Sequence, residues 1–333
     1  MKKILKVLGT LVLICIIALT AFFAYMIINV TVPDKMNYIV NADQETCTIT
    51  GTKNRYGTTL VIPEEIKGYT VTRIAPYAFQ ESSFDMVVFP STIEVIGEGA
   101  FDHCKKLMTI TGLEKCTSLK TIDDNTFSYC EVLSSIVLPE NIEKIGAFAF
   151  IGCYDLFEIN IPDKVTTIGY WAFASCGLKN ITLPASVEYI EPGVFRGCTD
   201  LDSINVDKDN AEFCSVNGVV YSKDMKTLFM YPTGKQDIEF TVLDGVTTIF
   251  AEAFADNYHL EIINIPSSVV VLESDILYHF LLQKANDKVI NYNGTVEMWN
   301  SIIKAEEWDI ESPNYTIYCT DGRIKKDGTV IYN

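Results

Sequence analysis

Cysteine is the residue in this sequence best placed to do chemistry, as a disulfide, a metal ligand or a redox thiol, and there are ten of them. Cys104, Cys130, Cys153, Cys176 and Cys198 each follow a phenylalanine by three residues. No Cys-x-x-Cys occurs, so zinc and thiol-exchange sites lack their usual spacing. His103, His259 and His279 are the whole histidine complement, and no His-Glu-x-x-His, Gly-x-Ser-x-Gly or glycine-rich phosphate loop accompanies them. Asp207, Asp209 and Asn210 begin like a calcium loop, but the glycine and closing glutamate are missing at the required offsets. The expectation is a non-enzymatic protein with no metal and no cofactor.

The spacing of the five thiols belongs to a larger pattern that must position them. An isoleucine precedes a small residue and phenylalanine at Ile74…Ala78-Phe79, Ile96…Ala100-Phe101, Ile122…Thr126-Phe127, Ile145…Ala149-Phe150, Ile168…Ala172-Phe173, Ile190…Val194-Phe195 and Ile249…Ala253-Phe254. The first six phenylalanines lie 22 to 26 residues apart, the period of one solenoid coil. A coil that short cannot bury its own apolar face, so neighbours must stack. Within a coil, Ile159 and Ile161 alternate with Glu158 and Asn160, which marks a half-buried strand. Pro162, which has no N–H to give, ends it, as do Pro90, Pro139, Pro184 and Pro266 in their coils. A second short strand, Val165 to Ile168, follows before the turn that carries Phe173 inward. The fold class read from this is a mainly β repeat solenoid with two short parallel strands per coil. Stacking then places the five cysteines in one buried column about 4.8 Å apart, a reduced structural ladder. Parallel Cβ vectors there suit a disulfide poorly.

Domains are expected at 1–33 (a cytoplasmic tip and membrane segment), 34–56 (a capping hairpin), 57–282 (the solenoid) and 283–333 (a C-terminal cap). The repeat breaks at about 207–244, where Asn217-Gly218-Val219-Val220-Tyr221 and Leu228-Phe229-Met230-Tyr231 suggest an inserted hairpin. Near the end, Thr295 is placed to N-cap a helix carrying Trp299.

No charge occurs in the 22 residues from Val7 to Ile28, while Lys2, Lys3 and Lys6 precede them. As a helix at roughly 1.5 Å per residue that stretch matches a bilayer core and exceeds a signal-peptide apolar region. It is expected to be an uncleaved signal anchor, with the basic end in the cytoplasm and the rest outside. The alternative is a cleaved signal peptide and a secreted protein. The net charge of −17 makes nucleic acid an unsuitable partner.

The outward residues of the first strand in each coil are the candidate binding row: Glu158, Asn160, Asn180, Thr182, Ser203 and Asn205, with Val137 among their neighbours. The competing reading is a merely solvated face, because neither an aromatic cluster nor an arginine marks an anchor along it.

The coil Leu156-x-x-Ile159-x-Ile161-Pro162-x-x-Val165-x-x-Ile168-x-x-x-Ala172-Phe173-x-x-Cys176 resembles the BspA-like leucine-rich repeat of bacterial surface proteins. The similarity runs from about Tyr38 to the end and includes Asn217-Gly218-Val219-Val220-Tyr221, Tyr292-Asn293-Gly294-Thr295 and Tyr318-Cys319-Thr320-Asp321-Gly322. Thr126 and Val194 in place of alanine, and a last coil without the Ala-Phe pair, depart from it. The resemblance implies an exposed bacterial protein that binds a protein on a host or neighbouring cell. A passive spacer, or less so a glycan-binding module, is the alternative.

Overall fold

In a computed structural model, which describes residues 30–31, 36–53, 57–278, 288–312 and 314–333, the chain winds as a β solenoid. The apolar stretch from 7 to 28 lies outside the described residues. Among the described residues no helix is long and apolar enough to cross a membrane.

Each coil gives one strand to a main sheet and one to a second sheet. Main-sheet strands include Thr109–Thr111, Ser135–Ile136, Glu158–Ile159, Asn180–Leu183 and Ser203–Val206, then Glu239–Thr241, Ile262–Pro266, Lys288–Asn293 and Tyr315–Cys319. The second sheet stacks Thr121–Ile122, Lys144–Ile145, Thr167–Ile168 and Tyr189–Ile190, and resumes with Thr227–Met230, Thr248–Ile249, Val271–Leu272 and Ile303–Lys304. Pairing between coils is parallel, Ile145 against Ile168 and Ile181 against Ile204, so like residues fall in columns. Identical apolar columns are how units of about this length share one core.

The corner after the second strand carries the phenylalanines inward. Phe79, Phe101, Phe127, Phe150, Phe173 and Phe195 stack ring on ring, with centroids 5.3 to 5.6 Å apart. Two left-handed residues bracket each ring, Trp171 (φ 54°) and Ser175 (φ 57°) around Phe173. Non-glycine residues resist that conformation, and hydrogen bonds to the next coil hold them there. The Phe150 N–H reaches the Ala172 carbonyl at 2.8 Å, and the Phe173 N–H reaches Val194 at 2.9 Å. Alternate N–H groups turn back within the coil, as Cys176 does to Phe173, so the corner's backbone is satisfied in two directions. Thr126 fits the alanine position because its buried hydroxyl donates to the Asp123 carbonyl at 2.7 Å.

The break in the repeat is a hairpin, Phe213–Val216 against Val219–Ser222, turned by Asn217 and Gly218 with φ of 51° and 79°. Val219–Ser222 also pairs antiparallel with Thr227–Met230, which then joins the second sheet in parallel with Thr248–Ile249. The strand Val219–Ser222 is buried on both faces, with Val220 in the core of the preceding coils and Val219 and Tyr221 in the core of the following ones. Tyr231 takes the missing phenylalanine's place. Its N–H reaches the Ala253 carbonyl at 2.9 Å, and its ring lies 5.7 Å from Phe254.

At the start, Met36–Val40 and Thr46–Thr52 form an antiparallel hairpin, and the latter strand pairs in parallel with Tyr69–Ile74. Towards the end, Lys288–Asn293 pairs in parallel with Ile262–Pro266 on one side and Tyr315–Cys319 on the other. The helix Val296–Ser301 follows it, capped by Thr295, whose hydroxyl oxygen accepts from the Met298 N–H at 3.2 Å. Gly322–Lys325 and Val330–Tyr332 then turn antiparallel and end the stack.

Candidate binding faces

The cysteine column is interior. Each thiol donates to the carbonyl of the phenylalanine one coil earlier: Cys104 to Phe79 (3.2 Å), Cys130 to Phe101 (3.4 Å), Cys153 to Phe127 (3.1 Å), Cys176 to Phe150 (3.2 Å) and Cys198 to Phe173 (3.1 Å). The same carbonyl already accepts an N–H within its own coil, Phe101 from Cys104 at 3.2 Å, so the thiol fills its second lone pair. Burial pushes the Cys153 and Cys198 thiols up to about 12, and Cys130 and Cys176 well above the ordinary range. A thiol that stays protonated is a donor and a poor nucleophile. None of the described cysteines is in a disulfide. In the coil of Phe254 the position falls to Asn257, whose Nδ2 donates to the Pro232 carbonyl at 3.4 Å while its Oδ1 accepts from Leu260. In the first coil it falls to Ser82, whose buried hydroxyl has no partner among the described residues.

The other residues with chemical potential are bound into the framework. Asn210 is buried and spends both amide hydrogens on the Pro184 and Val187 carbonyls, at 2.9 Å each, while its oxygen takes the N–H groups of Glu212 and Phe213. The loop it shares with Asp207 and Asp209 is thereby built as a turn. Ser128 and His103 both bond Asp102, but the carboxylate sits between them, so the imidazole does not face the hydroxyl as a general base would. The His103 ring lies on Tyr129, with centroids 4.6 Å apart. His259 faces Gln236, and His279 lies outside the described residues. Among the described residues no cluster of three or more histidines, cysteines or carboxylates could hold a metal ion.

A buried charge cluster ties the coils on either side of the hairpin. Arg196 reaches Asp256 at 2.6 Å and Glu252 at 3.5 Å, between the rings of Trp171 and Tyr278. The Trp171 indole N–H and the Tyr170 hydroxyl donate to Glu252 at 3.1 Å. Burial holds the Glu252 carboxyl above its usual range, against the pull of Trp171, Arg196 and Tyr170. For Arg196 burial acts downward, and the bonds to Asp256 and Glu252 outweigh it, so the guanidinium stays charged. No motif or spacing marks this cluster, whose members come from four coils.

The outward row is arranged coil on coil. Ser135 stands against Glu158, Asn180 against Ser203, and Thr182 against Asn205. Glu158, Asn160, Asn180, Thr182 and Asn205 are exposed, whereas Ser203 is half-buried beneath the hairpin turn at Gly218. Asn160 is committed: its Oδ1 accepts the Leu138 N–H at 2.7 Å and its Nδ2 donates to the Leu138 carbonyl at 3.2 Å. A groove of about 380 Å³ runs past Asn160, Asn180, Thr182 and Asp207. The face also carries large apolar side chains, of which the strand alternation revealed only Val137. Met108 (56% exposed), Val137 (59%) and Phe157 (57%) sit on three successive coils around the polar row. Met108 and Phe157 precede their strands, outside the alternating phase, which is why period-two reading passed over them. Past the hairpin a further outward row runs from Asn264 through Asn291 to the exposed ring of Tyr318 and to Arg323. The residues named for the row from the sequence hold neither an aromatic ring nor an arginine, and both stand on the strands beyond them.

A family model of the BspA type leucine rich repeat region matches in six copies, over residues 72–121, 120–228 and 226–293. No curated protein sequence matches the chain. The fold is similar to the solved structure of the pneumococcal vaccine antigen PcpA, with a TM-score of 0.67 at 23% identity over 79% of this chain and 81% of that one. It is also similar to a leucine rich cell surface protein from Faecalibacterium prausnitzii, with a TM-score of 0.57 at 22% identity over 81% of this chain and 96% of that one. A leucine-rich repeat protein from Bacteroides ovatus gives 0.55 at 24% identity, covering 79% and 70%. Likeness at these identities is likeness of fold.

Proposed function

Because the chain belongs to the BspA-type leucine-rich repeat family, we propose that it acts without catalysis on the outside of a bacterial cell, binding another protein through the outward face of its main sheet. The observation that carries this reading is the conjunction, over four successive coils, of exposed Met108, Val137 and Phe157 with the polar row of Glu158, Asn180 and Thr182. Large apolar side chains ringed by short polar ones are the usual make-up of a protein-binding patch. The stacked strands hold them on a rigid backbone, so little ordering is lost on binding. The surface description of the Faecalibacterium relative, and the uncharged stretch from 7 to 28, support an exposed and anchored protein. A partner on a host or neighbouring cell fits that placement.

The test is a binding screen of the full chain against extracellular-matrix and host surface proteins, repeated with Phe157→Ala and Val137→Ala together. The pair should weaken a captured protein about tenfold or more while leaving the melting transition in place. Binding unchanged by the pair would refute this patch. If no protein is captured at all, a passive spacer is the surviving reading, and the mutual bonds of Asn160 with Leu138 and of Ser203 with Asn205 then serve only the sheet.

A further inference from the structure

We propose a second site, independent of the first: a groove at the far end of the main sheet that takes a neutral saccharide. It encloses about 330 Å³ and is lined by Thr241, Asn264, Asn291 and Tyr318, with Ile265 and Pro266 beside them. Thr241 pairs with Asn264, Asn264 with Asn291, and Asn291 with Tyr318, so the four side chains form one row on one face.

The polarity of this row is fixed by its first member. An ionised carboxylate only accepts, so the Asn264 group 2.7 Å from Glu239 Oε1 is its amide nitrogen. That nitrogen also donates to Thr241 Oγ1 at 2.9 Å, which uses both its hydrogens. Asn264 Oδ1 therefore points the other way and accepts from Asn291 Nδ2 at 2.8 Å. Among the described residues the chain of bonds ends with Asn291 Oδ1 as an open acceptor beside Tyr318, and with the Thr241 hydroxyl hydrogen as an open donor. A chain polarised in one direction strengthens its terminal groups.

A ligand for this row must donate to an amide carbonyl, accept from a hydroxyl and lay an apolar face near a phenol ring. A pyranoside carries all three features, and mixed polar and aromatic linings of this size are typical of small-ligand sites. Peptide addition is disfavoured, because Ile262–Pro266 and Lys288–Asn293 are paired on both sides and offer no open edge. Among the described residues no lysine or arginine lines the groove and Asp244 stands in its wall, so an anionic ligand finds no counter-charge there.

The test is calorimetric titration of the full chain with maltotriose, cellotriose, mannotriose and triacetylchitotriose, and with sialyllactose as the anionic comparison. At least one neutral sugar should bind. Tyr318→Ala should weaken it about tenfold, and Tyr318→Phe should stay within about threefold, since the ring rather than the hydroxyl makes the contact. Asn291→Leu should weaken it as Tyr318→Ala does. Phe157→Ala should leave it unchanged, which separates this site from the protein-binding face. The proposal is overturned if none of the neutral sugars binds, if sialyllactose binds best, or if Tyr318→Ala, with its melting transition intact, binds as the parent does.

Discussion

The hairpin at Phe213–Ser222 divides the solenoid core in two, and the two parts solve the same problem differently. Before the hairpin, Phe79 to Phe195 stack in near-parallel register and five thiols close the carbonyls behind them. After it, Tyr231, Phe254 and Leu277 fill the column with tilted or aliphatic packing, and Asn257 replaces the thiol. The outward faces differ as well. The earlier one spends an asparagine, Asn160, on main chain and shows bare apolar anchors, while the later one links Asn264 and Asn291 to each other and ends on an exposed tyrosine. A regular interior leaves the surface free to vary. Where the interior is improvised, more of the side chains are drawn into holding coils together, as Arg196, Glu252 and Asp256 are at the junction.

The largest test of that contrast is Phe173→Ala. The ring is fully buried between Phe150 and Phe195, so the cavity should cost about 3–5 kcal/mol by chemical denaturation. A loss no greater than that of a surface substitution would break the column.

The junction is tested by pH. Burial raises the Glu252 carboxyl above its ordinary value of 4.5, so the folded chain holds this proton more tightly than the unfolded one. Its contribution is therefore fully present below that ordinary value and is lost as pH rises through the raised one. The stability of the wild type relative to Glu252→Gln should fall as pH is raised from 4.5 towards neutrality, followed by denaturation of both proteins across the range. A difference that is flat, or that grows with pH, would contradict the buried placement.

Thiol labelling sharpens the account of the ladder. Ellman's reagent at mildly alkaline pH should modify the part-exposed Cys214 and Cys319 in the native protein, and reach Cys104, Cys130, Cys153, Cys176 and Cys198 only after denaturation. Thiols that remain missing in the denatured, unreduced protein would mean that the column holds disulfides.

The smallest effects concern single hydroxyls. Ser82→Ala removes a buried group with no partner among the described residues, so it should be neutral or stabilise by up to about 1 kcal/mol. Thr182→Ala, on the exposed row, should cost under about 0.5 kcal/mol. A clear loss at Ser82 would mean that its hydroxyl has a partner after all.

Much of this was legible in the residues. The isoleucine and phenylalanine spacing gives the coil, the prolines give strand ends, and Asn217-Gly218 marks the hairpin turn, because each is a local requirement written in local residues. What escaped depends on shape. Tyr231 is a column member, yet no Ala-Phe pair precedes it, and the shortened corner that admits it exists only in three dimensions. Arg196 and Asp256 lie 60 residues apart, which no periodicity connects. The thiol column could be placed by spacing, but its bonding to the phenylalanine carbonyls required the corner's geometry. Tyr318 joined the row only because Tyr315–Cys319 continues the parallel sheet.

The central claim, that the outward face before the hairpin is the working surface, is tested most directly by two charge-bearing variants against one captured protein. The first replaces Glu158, Asn180, Thr182 and Asn205 with lysine or arginine and leaves Asn160 intact, because its amide closes Leu138. The second makes the same replacements on the other sheet, at Glu143, Thr166, Thr167 and Glu188. With melting transitions unchanged, binding measured by interferometry should fall about a hundredfold for the first variant, as unpaired charges are desolvated within the contact, and stay within about twofold for the second. Equal affinity for both variants and the parent would contradict the claim.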